Sequence, residues 1–123
     1  MEIVEVLTGT DSLVRRPSAD LSERELERIK DFIQGAVYSY CKNRKGESFS
    51  ASTLFGGDNY YWQGTPLEVV YKRHIEDDNP VNRAGIDVGW ILLDVLVSDK
   101  RHFSKKSGYV NEYNWLFEQS TEN

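Results

Sequence analysis

The sequence predicts an α+β domain, mainly helical, with three to four helices closed by a C-terminal β-hairpin, and three observations carry that reading. Residues 82–99, NRAGIDVGWILLDVLVSD, are apolar around almost the whole circumference of a helix. Residues 100–117, KRHFSKKSGYVNEYNWLF, change from helical spacing to alternation. Upstream stand two helix starts: Ser22 with Glu25 as a capping box, and Thr65-Pro66-Leu67-Glu68 with a cap residue, a first-turn proline and an acid.

At 123 residues the chain suits one domain, able to bury roughly two thirds of the surface its unfolded form exposes. Residues 1–20 read as an N-terminal strand or flexible arm, 21–117 as the folded domain and 118–123 as a frayed tail. Within the arm, residues 3–7 can form a short strand, and 8–19 mix Gly, Asp, Ser and Pro with the Arg15-Arg16 pair. The single cysteine, Cys41, sits among apolar neighbours and reads as a small buried hydrophobe in a reducing compartment. The N-terminus lacks a basic stretch ahead of its apolar residues and no run reaches membrane-spanning length, so the expectation is a cytoplasmic protein without a membrane partner. A net charge of −5, from 15 basic and 20 acidic residues, works against non-specific attraction to nucleic acid.

Order begins at Leu21. Leu26, Ile29, Ile33, Val37, Tyr40 and Cys41 recur at helical spacing, with the charged residues on the other faces. Lys42, Arg44 and Lys45 suit the negative end of that helix, and Gly46 stops it. Residues 47–50 can form a minor strand, after which Ser50 caps a short helix over 51–55. The loop GGDNYYWQG follows. Tyr60, Tyr61 and Trp62 are its candidate ligand-stacking residues, the alternative being that Tyr61 and Trp62 fold back to close the core.

The helix opened by Thr65 has Leu67, Val70, Tyr71, His74 and Ile75 on one face. A histidine there is expected to be hydrogen-bonded and partly buried rather than a metal ligand or base. The acids Glu76, Asp77 and Asp78 read as a solvated helix end, and Asn79-Pro80 as the next cap. In the following helix Ala84, Val88, Ile91, Leu92 and Val95 form one apolar stripe and Ile86, Trp90, Leu93 and Val97 a second. Only a narrow polar line through Arg83, Asp87, Asp94 and Ser98 remains, so the second stripe is the candidate partner interface or homodimer surface. Gly85 and Gly89, four apart, permit close approach of another backbone. Beyond Asp99, residues 105–108 (KKSG) read as the hairpin turn, and Tyr109, Asn111, Tyr113, Trp115 and Phe117 as the face that covers the core.

This order of helix, short strand, helices and basic-tipped hairpin over residues 21–117 resembles a winged-helix domain, the helix-turn-helix variant with a hairpin after its last helix. The resemblance implies a recognition helix at residues 82–98 and a wing that touches phosphates at Lys100, Arg101, Lys105 and Lys106. Asp87 and Asp94 on that helix depart from the family pattern, because carboxylates repel a phosphate backbone.

Two functions follow. The first is a small non-catalytic interaction domain that meets a protein partner, or a second copy of itself, through Ile86, Trp90, Leu93 and Val97. The alternative is a DNA-binding regulator that contacts phosphates through its wing. An enzyme is not expected: the only histidines are His74 and His102, and the chain has no Cys/His zinc spacing, no phosphate-cradling glycine loop and no Gly-x-Ser-x-Gly elbow. No catalytic residue, metal site or cofactor is assigned.

Overall fold

The first helix forms where its caps are written. In the computed structural model, which describes residues 3–7, 17–56, 62–99 and 101–116, helix α1 spans Glu23–Asn43. The Ser22 hydroxyl accepts from the Glu25 amide at 3.1 Å, and the Glu25 carboxylate accepts from the Ser22 amide at 2.9 Å. The buried stripe of α1 is Ile29, Ile33, Val37 and Cys41, one residue per turn on the side facing the core.

Two short helices follow, α2 (Ala51–Phe55), capped by Ser50, and α3 (Glu68–Arg73). Helix α3 starts later than the sequence suggests. Thr65 closes a turn instead, its hydroxyl donating to the Trp62 carbonyl and accepting from the Leu67 amide, so Leu67 occupies the cap position. Helix α4 (Pro80–Ser98) begins with the expected proline in its first turn, but Asn79 precedes it in the left-handed region at φ 55° and its side chain makes no cap bond. Arg83 donates to the Asp78 carbonyl there.

The sheet has the order β1-β2-β3, from β1 (Ile3–Val6), β2 (Phe103–Ser107) and β3 (Glu112–Trp115), and both pairings are antiparallel. On the far side of β3, Phe49 forms a single bridge with Tyr113, which reduces the expected minor strand at 47–50 to one residue. Helices followed by a three-stranded antiparallel sheet make this an α+β fold compatible with a winged-helix-like arrangement.

Strand β2 runs through Ser107, so Lys105 and Lys106 lie inside a strand and the turn is made by residues 108–111. Strands on both sides hold this register: Lys105 and Lys106 pair with Tyr113 and Glu112 of β3 and with Glu5 and Val4 of β1, so the ladder runs past the residues expected to turn. Tyr109 is consequently fully exposed at the turn, whereas Tyr113 is buried and Trp115 half-buried against the core.

The core lies between α1, α4 and the inner face of the sheet. Phe49 is its aromatic centre, 5.5 Å from the Tyr40 ring, 6.0 Å from Tyr113 and 6.2 Å, edge-on, from Phe103. No helix among the described residues is long and apolar enough to cross a membrane.

Candidate functional site: an apolar groove along α4

Helix α4 is apolar on both sides, and only its packing decides which side is covered. Ala84, Val88, Ile91, Leu92, Val95 and Leu96 are buried, and so are Leu93 and Val97. The expected partner stripe is therefore split: Leu93 and Val97 belong to the core, while Ile86 is 53% exposed and Trp90 half-buried. With 19 residues in a small domain, α4 turns more than one stripe inward, leaving the arc around residue 86 outside along with the polar Asp94 and Ser98.

That arc forms one wall of a groove of about 1090 Å³. Phe55 and Trp62 line it, Tyr71 and Ile75 supply the α3 side, and Val110 and Tyr113 come from the β2–β3 region. Five of the eight large apolar side chains exposed among the described residues, Ile75, Val81, Ile86, Tyr109 and Val110, border it. Gly85 and Gly89 lie in its α4 wall, where a Cβ at either position would meet nothing within 4 Å. Packing within the chain requires neither glycine, though each costs a helix about 1 kcal/mol relative to alanine. They leave the α4 backbone open to close approach from the groove.

Trp62 is half-buried, packs on the core and donates its indole N–H to the Phe55 carbonyl at 3.3 Å. Tyr60, Tyr61, Lys100 and the Arg15-Arg16 pair lie outside the described residues.

The basic segment is not a row of exposed cations. Arg101 is 9% exposed, its guanidinium 3.9 Å from the Tyr38 ring centre and 5.1 Å from that of Trp115. Both oxygens of Asp99 accept from it, and Gln34 donates to Asp99 at 2.7 Å. A cation with these partners is a pin between α1, the end of α4 and the sheet, not an open phosphate contact. Cys41 is buried beneath the same region, and burial raises its thiol pKa above the ordinary value.

Asp87 also departs from the sequence reading. It does not lie on an exposed polar line of α4: it is 2% exposed and accepts from the Ser18 amide at 2.8 Å, the Ala19 amide at 2.9 Å and the Ser18 hydroxyl at 3.1 Å. His74 lies between two carboxylates, Nε2 at 2.7 Å from Asp87 and Nδ1 at 2.7 Å from Asp77. The histidine is thus buried and hydrogen-bonded through both ring nitrogens. Burial works to lower its pKa, but the bonds to Asp87 and Asp77 outweigh that and raise it. Burial likewise works to raise the Asp87 pKa, and the bonds from His74, Ser18 and Ala19 outweigh that and lower it.

These opposite shifts set a pH window. The His74 contribution is complete below the ordinary 6.5 and is lost as pH rises through its raised value; that of Asp87 is complete above the ordinary 3.8 and is lost as pH falls through its lowered value. Urea unfolding across pH 5 to 9 is expected to show stability falling on the alkaline side, and that slope flattening in His74→Asn. An unchanged slope in the variant would assign the pH dependence elsewhere.

Among the described residues no group of three or more His, Cys, Asp or Glu side chains is placed to hold a metal ion. Comparison with known proteins finds no matching family model, no similar curated protein and no similar solved structure.

The sequence pointed to Ile86, Trp90 and Trp62 but missed Val81, Val110 and Tyr113 as groove residues. Val81 carries no periodic signal of its own, and the other two reach the groove only because the turn falls at 108–111.

Proposed function

We propose that this chain is a small non-catalytic interaction domain, winged-helix-like in its element order, that docks a segment of a partner protein in the groove along α4. One observation carries the reading: most of the exposed large apolar side chains converge on a single groove instead of being scattered. Monomeric domains seldom gather such residues without a partner for them. The open glycine backbone at Gly85 and Gly89 supports it as well.

The DNA-contacting alternative loses ground on the same geometry. Arg101 is engaged by Asp99, Lys105 and Lys106 sit in β2, and beyond the polar Asn82 and Arg83 of its first turn the outward arc of α4 presents Gly85, Ile86 and Trp90 where a recognition helix needs polar readers.

Panning a random-peptide display library against the purified chain tests the proposal. Enrichment of apolar peptides is expected, with binding at least tenfold weaker in Ile86→Glu and unchanged in Val4→Glu, an exposed strand position away from the groove. No enrichment, or binding indifferent to Ile86→Glu, would overturn it. A dimer whose mass falls to that of a monomer in Ile86→Glu would make a second copy of the chain the occupant.

A further inference from the structure

We propose that the Tyr113 hydroxyl is the polar anchor of the groove, donating a hydrogen bond to a main-chain carbonyl of an extended, apolar peptide segment; the inference rests on the docking reading above. Tyr113 comes from β3, is 4% exposed and packs its ring against Phe49. It nonetheless lines the groove. No described residue hydrogen-bonds its hydroxyl, and the described residues contain no sealed, unsatisfied side-chain oxygen or nitrogen. The hydroxyl therefore keeps an opening, and the groove is a cavity that Tyr113 lines. Burial pushes its pKa up to about 12, so it holds its proton and acts as a donor throughout the neutral range.

A donor among apolar walls selects its ligand. An occupant that displaces water without supplying an acceptor leaves that hydroxyl unpaired, which costs more than the bond would contribute. The acceptor is best neutral: among the described residues the groove's one lysine, Lys72, is a 63% exposed side chain 3.8 Å from Glu68, so no buried cation is in place to hold a carboxylate. An α-helical segment has its carbonyls tied into its own i to i−4 bonds, whereas an extended segment presents one at every residue. Asn82 and Asn111, exposed at the rim, add carboxamides that can both donate to and accept from such a backbone. Apolar side chains of the segment then meet Ile75, Ile86 and Val110.

The test uses peptides selected on the groove, with affinity read by fluorescence anisotropy for the intact chain, Tyr113→Phe and Ile86→Glu. Tyr113→Phe is expected to bind about fivefold to tenfold more weakly while its thermal midpoint stays close to that of the parent. An amide-to-ester scan of the peptide, which weakens one carbonyl at a time, should find one sensitive position on the parent and lose that sensitivity on Tyr113→Phe. Should the Phe variant fail to fold, a single ester-sensitive carbonyl on the parent still supports the anchor, and a scan with none overturns it. Peptides that depend on Ile86 but bind Tyr113→Phe within twofold, or that are helical when bound, overturn this inference and leave the docking reading standing. A library yielding no peptide removes both.

Discussion

Asp87→Ala is expected to lower the thermal midpoint by on the order of 10 °C, corresponding to a loss of about 3 kcal/mol or more. The carboxylate is 2% exposed and is shared by the amides of Ser18 and Ala19, the Ser18 hydroxyl and the His74 ring. Truncation leaves these donors facing a cavity, and one of them is an imidazole that this carboxylate helps to keep protonated. It also releases the segment at Ser18 and Ala19 from α4. Asp87→Asn should recover part of the loss, since the amide oxygen still accepts. The comparison that isolates the cause lies on the same helix: Asp94 pairs with Lys30 at 2.7 Å, but at 32% and 40% side-chain exposure. Asp94→Ala is expected to cost less than about 1 kcal/mol. Thermal melts followed by circular dichroism decide it, and equal losses at the two aspartates would show that the Asp87 network does not hold the fold.

Arg101→Lys is expected to cost about 2 kcal/mol although the charge is kept. The guanidinium meets both oxygens of Asp99, a side chain 1% exposed, and lies over the Tyr38 ring, 3.9 Å from its centre. An ammonium makes neither the fork nor the same ring contact, so Asp99 would retain the Arg101 amide and Gln34 as its main donors. The matched control is Arg44, which has the same kinds of contact at the surface: an ion pair with Glu47 at 3.9 Å and the Tyr40 ring at 5.9 Å. Arg44→Lys is expected to change stability by no more than about 0.5 kcal/mol. Urea midpoints for the two variants check this, and a neutral Arg101→Lys would return Arg101 to the set of open basic residues.

Burial also decides which residues can serve a partner. Arg101 and Asp87 both looked like surface charges in a linear reading, one for phosphate and one against it. Both instead have most of their hydrogen bonding inside the fold, so changing either tests stability before it tests binding. The residues to change for binding are Ile86, exposed on the groove wall, and Tyr113, where removing one oxygen leaves the packing shape intact.

What the sequence by itself determined about this protein is local. The Ser22–Glu25 box placed the start of α1, Ser50 that of α2 and Pro80 that of α4, because caps act within three or four residues and side-chain periodicity within two turns. The alternation after Asp99 and the short apolar stretch at residues 3–7 likewise marked strands. The α+β class was legible from those signals. Only the tertiary structure decided which arc of α4 stays outside, because a helix apolar on nearly every side carries no direction until α1, α2 and α3 are packed on it. It also decided that β1 adds to the outer edge of β2, that Ser18 and Ala19 find Asp87 across 68 or more residues, and that Tyr113 reaches a groove built largely from α2, α3 and α4. Each of these is a contact between segments distant in the chain, and neither composition nor spacing within one segment encodes its partner.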